Sequence, residues 1–329
     1  MNNRINTPFH FNNQTLTRIA APLKFLLLFW LAFTGIEARD FASYPGGFLR
    51  MGTSARSIAM GSAFTAEIDQ GFAAYHNPAA IGFLNQRRLG FAHHFLPLSR
   101  RFMATSLSTG LPPNAGVGIA WVSAGTDRID GRTSSGEHTQ YLSTAEDAIF
   151  FTFAQRLLPW FSIGINVKIL NHQLPMNNSS LAGKGTGFDL GVFVRTKKGA
   201  NLAFMIQDLN SSYQWNTGKV FEQGRVYVEH FPTIYRLGTT FRYEGVYITM
   251  DGGWISDNQK LLGYTLRMGG EYTFREHYFL RAGLGNQRMA VGLGLIWSFL
   301  KQNDARLDYA FVLETPAGVA HVFTYAFNF

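Results

Sequence analysis

Two adjacent histidines, His93-His94, are the first residues that suggest chemistry, because imidazoles are common metal ligands. They sit in an alternating, strand-like stretch, where neighbouring side chains point to opposite faces, so one ion cannot take both. A lipase-type hydrolase needs a Ser, a His and an orienting polar residue that converge. The chain has serines and histidines, but no spacing marks any of them as a unit. Gly283-Leu284-Gly285 and Gly292-Leu293-Gly294 fall inside alternating segments and do not open a helix, so they are not phosphate loops. The chain contains no cysteine, which removes thiolate nucleophiles, disulfides, Cys-based metal sites and a lipid-modified Cys. No catalytic, cofactor-binding or metal site is assigned, and no enzyme activity and no cofactor are expected.

The charges worth following are those embedded in strands. Phe161-Ser162-Ile163-Gly164-Ile165-Asn166-Val167-Lys168-Ile169 places a large apolar residue at every odd position and a small or polar one at every even position. Phe188-Asp189-Leu190-Gly191-Val192, Met289-Ala290-Val291-Gly292-Leu293 and Leu307-Asp308-Tyr309-Ala310-Phe311 repeat the pattern. A strand of a water-soluble sandwich would carry many charges on its second face. Here that face is mostly Gly, Ala, Ser, Thr and Asn, which suits a narrow barrel interior with room for a plug. Lys168, Asp189, Asp251, Arg281 and Asp308 are then candidates for charges in the lumen, since a charge on the lipid face at mid-bilayer costs about 2–4 kcal/mol.

Composition agrees. Of 329 residues, 46% are hydrophobic and only 15% charged, with 34 Gly, 30 Phe, 13 Tyr and 6 Trp. A helical membrane protein needs apolar runs of roughly 18 residues, and none follows residue 40. The net charge of +8 comes from singly scattered Lys and Arg, read as loops, rims and interior, with no nucleic-acid partner expected. Residues 1–38 read as a signal peptide: Arg4, Arg18 and Lys24 precede the apolar core Phe25–Phe33, and cleavage is expected after Ala38.

Alternating segments near 87–95, 101–109, 115–124, 146–155, 160–171, 185–195, 200–208, 233–243, 245–254, 263–274, 277–284, 288–298, 304–313 and 318–329 predict an all-β transmembrane antiparallel barrel of about 14 strands over residues 87–329. Residues 125–144, 172–184 and 209–231 read as long polar outer loops. The last strand ends on Phe329, an aromatic terminus that resembles the recognition signal of the barrel assembly machinery; that machinery and outer-membrane lipid are the expected partners. The outer membrane is the expected location.

Residues 39–86 read as an N-terminal plug or hatch. Ser54 to Met60 predicts a short helix, capped by Thr53 or Ser54 and ended by Gly61. Asn77-Pro78 predicts a turn ahead of the first strand. Plug or gate candidates are Arg56, Met60, Gly61, Asn77 and Pro78; an acidic side chain or plug carbonyls should hold Arg56, with Asp189, Asp251 and Asp308 the first partners to test. Gly52, Ala55-Arg56, Ala59-Met60-Gly61, Ala63 and Asn77-Pro78-Ala79, with Gly187-Phe188-Asp189-Leu190-Gly191, Leu280-Arg281-Ala282-Gly283, Leu307-Asp308-Tyr309-Ala310-Phe311 and His321, resemble the PorV/PorQ family, itself similar to FadL-like long-chain fatty-acid transporters. The chain departs from many relatives at Ser62, where they carry Gly. The resemblance implies a type IX secretion-associated barrel that handles cargo. The alternative is a FadL-like transporter of hydrophobic small molecules. The aromatic 209–231 segment leans toward binding a partner or lipid.

Overall fold

The computed structural model describes residues 43–329, apart from 69–70, 177–178, 197–198, 258, 286–287, 301–302 and 315–316. The signal peptide and residues 39–42 therefore lie outside the described residues. After the N-terminal segment come β1 (Arg88–Phe95), β2 (Arg100–Leu111), β3 (Ala115–Arg132), β4 (His138–Leu158), β5 (Phe161–Met176), β6 (Ser179–Arg195) and β7 (Ala200–Leu209). A hairpin of β8 (Ser212–Asn216) and β9 (Val226–His230) interrupts the series. It resumes with β10 (Thr233–Tyr243), β11 (Val246–Ser256), β12 (Leu261–Phe274), β13 (Tyr278–Gly285), β14 (Arg288–Leu300), β15 (Asn303–Glu314) and β16 (Gly318–Asn328).

Fourteen of these strands form a closed antiparallel ring. Each pairs with its sequence neighbour, β7 pairs with β10 across the β8–β9 insertion, and β16 pairs with β1 from Arg88↔Asn328 to Phe95↔His321. The alternation explains closure in a bilayer. Along β5, Ile163, Ile165, Val167 and Ile169 are exposed, while Ser162, Asn166, Lys168 and Leu170 are buried. The same phase continues around the ring: Trp121, Phe151, Leu237, Val291 and Leu293 point outward. Such an apolar exterior satisfies a bilayer, and the closed ladder leaves no backbone edge unpaired in lipid.

One end of the ring carries short connections, such as residues 112–114, 159–160 and 244–245, as periplasmic turns do. The chain ends there, with the Phe329 and Arg87 backbones paired in both directions. At the other end most of the expected loops is strand, 125–132 and 138–144 in the first and 172–176 and 179–184 in the second: β3, β4, β5 and β6 run 18, 21, 16 and 17 residues. A spanning strand needs only about 9–11. Beyond the bilayer both faces meet water, so polar residues occupy both and the alternation fades while the backbone ladder continues. The 209–231 segment is likewise no irregular loop, since it holds β8 and β9.

Candidate functional site

Residues 47–68 and 71–84 pack against the inward face of the ring. A 3₁₀ turn at Gly47–Arg50 precedes α1 (Ala55–Ala59), then α2 (Ala73–His76) and a second 3₁₀ helix, Pro78–Phe83. Ser54 caps α1: its hydroxyl accepts from the Ser57 amide at 3.1 Å, and the Ser57 hydroxyl accepts from the Ser54 amide at 3.2 Å. This reciprocal pair satisfies two amides that the helix start leaves without partners. The chain then turns at Gly61, with φ +66°. Ser62 also lies in the left-handed region, at φ +58°, a backbone that glycine would take without strain.

Inward glycines of the strands receive this segment. A Cβ on Gly269, Gly283 or Gly285 would collide with the Met60–Gly61 backbone, and one on Gly292 with Ala59. On the opposite wall, Gly110 and Gly116 make room for the Leu84 and Ile81 carbonyls, and Gly164 and Gly191 for Asn77-Pro78-Ala79. The small-residue face is thus a seat for backbone. Asn77 fastens the far end: its Oδ1 accepts from Ala79 N at 2.9 Å, and its Nδ2 donates to Thr65 O at 3.0 Å and Val192 O at 3.2 Å. Pro78 opens the 3₁₀ helix that follows.

The buried charges form separate groups. Arg56 donates from Nε to Glu271 Oε2 at 2.9 Å and from a terminal nitrogen to Oε1 at 3.0 Å, and lies 3.4 Å from Glu67. Glu271 also accepts from Arg281 Nε at 2.6 Å and from Arg306 at 3.2 Å. Asp308 faces Arg281 and Arg306, each at 2.9 Å. The expected partners of Arg56 are therefore corrected: Asp308 reaches it only through the other arginines, while Asp251 and Asp189 serve elsewhere. Asp251 Oδ2 accepts from the Thr65 amide at 3.0 Å and its hydroxyl at 2.7 Å. Asp189 accepts from Lys168 at 2.6 Å and from Asn166 at 3.0 Å, and Lys168 also donates to Asp208. All five lumen-charge candidates are buried, and each faces opposite charge or hydrogen-bond donors, as confined charges must. Glu271, Glu67, Asp208 and Arg306 were missed. The available signal was parity: Glu271 follows Gly269 at an interval of two, and Arg306 precedes Asp308 likewise, so each shares its neighbour's inward face.

His94 is buried, stacked on Phe102 at 4.2 Å, with Nε2 2.9 Å from Thr53 O. His93 instead packs on Phe95 at 4.4 Å. Among the described residues no three His, Cys, Asp or Glu side chains are grouped to hold a metal. A small pocket, about 30 Å³ and partly open to solvent, lies between the N-terminal segment and the wall, with Met51, Ile58, His94, Arg288, Val312 and Val322 among its lining. At the outer end, the Tyr44 hydroxyl donates to Asp257 at 2.5 Å, and Gln259 and Lys260 donate their amides to the same side chain. These donors, Tyr44 first, hold the Asp257 carboxyl below the usual carboxylate range.

No protein-family model matches the sequence, and no curated protein matches it closely enough to be a relative. Solved structures do. The Ralstonia pickettii toluene transporter TbuX superposes with TM-score 0.60 at 13% identity, covering 84% of this chain and 98% of that one. A Pseudomonas aeruginosa FadL homologue gives 0.57 at 11%, covering 84% and 98%. The Pseudomonas putida toluene transporter TodX gives 0.56 at 14%, covering 84% and 97%. Identities this low speak for the fold. With its closed ring, apolar belt and inward-folded N-terminal segment, the chain has the fold of the FadL-like β-barrels it superposes on.

Proposed function

We propose that this barrel is a gated conduit for hydrophobic small molecules, with residues 39–86 as its plug. One observation carries the reading: the lumen is filled by a segment that lies on glycine seats and is tied by hydrogen bonds and ion pairs. Contacts of that kind can be exchanged without unfolding the wall. Arg56, Met60 and Gly61 form the releasable end, against β12, β13 and β14. Asn77 and Pro78 form the anchored end, against β5 and β6. The fold likeness to toluene transporters supports the same class of solute. The test is uptake of radiolabelled toluene by intact cells bearing an outer membrane, with and without the chain. Faster uptake with the chain supports the conduit, and equal uptake rejects it.

A second reading, a type IX secretion-associated interaction barrel, rests on the β8–β9 hairpin, where Phe221, Val226, Tyr227 and Val228 are exposed. Contiguous apolar surface outside the bilayer is a mark of partner binding. Pull-down from native membranes tests it: recovery of secretion-system proteins, lost on changing Tyr227 and Val228 to Ser, supports it, and recovery of lipid alone rejects it.

A further inference from the structure

Antiparallel ladders alternate, so each strand residue turns its backbone N–H and C=O to one side only. In the β8–β9 hairpin, Thr217 N donates to Arg225 O at 3.1 Å and Phe231 N to Ser211 O at 2.9 Å. The pairs from Ser212↔His230 to Asn216↔Val226 lie between these two bonds. In steps of two, Arg225, Tyr227, Glu229 and Phe231 therefore face β8. Val226, Val228 and His230 direct their N–H and C=O groups the other way. Among the described residues β9 pairs only with β8, so this second edge has no strand beside it.

The other edge of the hairpin is fixed. β8 pairs with β6 at Gly183↔Trp215 and Lys184↔Gln214. Cβ atoms on Gly183, Gly185 and Gly187 would collide with Trp215, Ser212 and Ser211, so β8 lies close against β6. Tyr213 and Trp215 are buried, and Trp215 Nε1 donates to Glu229 at 3.1 Å, which ties β9 to β8. The β9 edge is thus held extended, while Val226, Tyr227 and Val228 are 53%, 57% and 43% exposed. Proteins blunt exposed edges with Lys, Pro or bulges. The run Val226-Tyr227-Val228 has no Lys or Pro, and its pairing with β8 is regular.

We propose that the β9 edge docks a second copy of this chain, strand against strand, antiparallel about a two-fold axis at Tyr227. With Tyr227 opposite Tyr227 of the copy, Val226 meets Val228 of the copy. Both bring outward backbone groups, so the hydrogen-bonding phase is satisfied. Arg225 then meets Glu229 of the copy, and symmetry makes the pair twice. Arg225, Tyr227 and Glu229 share one face of the strand, and Arg225 is exposed. Their cross-copy pairs are the non-hydrogen-bonded ones, in which side chains come closest. The next register of the same phase, centred on Val228, sets Arg225 against Phe231 and loses both ion pairs. This charge complementarity of the edge with itself selects a copy as the occupant. The pairing depends on neither functional reading.

Because the chain has no cysteine, crosslinking of the detergent-solubilised full mature chain reads the register. Tyr227→Cys places two thiols at the axis, with Cα atoms about 4.5 Å apart, within the range a disulfide accepts. Val228→Cys, on the opposite face of the same edge, leaves its two Cα atoms about 8 Å apart, beyond that range. On oxidation Tyr227→Cys should form the covalent dimer at least about tenfold faster than Val228→Cys. Sedimentation in density-matched detergent should show the wild-type chain dimerising at micromolar concentration. Arg225→Glu turns both ion pairs into repulsions and should weaken self-association at least about tenfold. Glu229→Arg should do the same. An equimolar mixture of the two variants should associate again, since each supplies the charge the other lacks. Heat-modifiability checks that every variant keeps its ring. Equal crosslinking at 227 and 228, or a mixture that stays monomeric, overturns the pairing. A monomeric wild-type chain overturns it too, and if that chain recovers a secretion-system protein from membranes, the edge belongs to that partner and the second functional reading stands.

Discussion

Changing Glu271→Gln is the most informative perturbation of the N-terminal segment. Arg56, Arg281 and Arg306 face Glu67, Glu271 and Asp308, a neutral group of six in which Glu271 accepts from all three arginines. Removing its charge leaves three cations around two anions in a buried site. Breaking a buried pair from one side costs about 3–5 kcal/mol. At 1.4 kcal/mol per power of ten, that is roughly two to three and a half powers of ten in the balance between seated and released segment. Arg56→Ala should cost less, because Glu271 keeps Arg281 and Arg306. The order is therefore Glu271→Gln more disruptive than Arg56→Ala, and the double variant should fall short of the sum, since the residues are in contact. Single-channel conductance in planar bilayers reads the released state directly, with far-UV circular dichroism confirming the ring. Wild-type conductance in Glu271→Gln, or a larger effect for Arg56→Ala, would refute the reasoning.

Other outcomes follow from the same geometry. Gly61→Ala should loosen α1 by about 1–2 kcal/mol from the left-handed backbone alone, with added contact against the Leu284 and Met268 carbonyls, read as faster hydrogen exchange across 55–63. Leu293→Arg, on the exposed face of β14, should destabilise the folded barrel by about 2–4 kcal/mol in urea titration in lipid vesicles; a change within about 0.5 kcal/mol would place that face away from lipid. Phe329→Asp should lower the heat-modifiable barrel recovered from the outer membrane while refolded protein keeps its conductance.

The strands were legible because the bilayer imposes one rule on every turn of the ring: Ile163, Ile165 and Val167 could face nothing else. Where the bilayer ends, the rule ends, which is why 125–132 and 138–144 read as loop although backbone pairing holds them as β3 and β4. The caps were local and legible too, as Ser54 and Gly61 show. The partner of Arg56 was not, because a contact spanning 215 residues of sequence leaves no trace in spacing. Asp189, Asp251 and Asp308 stand out because each sits on a small-residue strand face, yet Glu271 carries the same inward parity. The glycines gave the clearest indirect sign, since a strand face stripped of side chains implies that backbone must lie against it. That sign was read for the plug and overlooked at Gly183, Gly185 and Gly187, where it marks the β8–β9 hairpin.

Locking the segment to the wall tests the gated conduit most directly. The Ala55 amide lies 2.8 Å from Thr324 Oγ1, so Ala55→Cys with Thr324→Cys joins α1 to β16 in a chain otherwise free of thiols. Toluene uptake by intact cells carrying this variant should fall to the level of cells without the chain when oxidised, and return when reduced. Undiminished uptake with the disulfide fully formed would contradict a conduit gated by this segment.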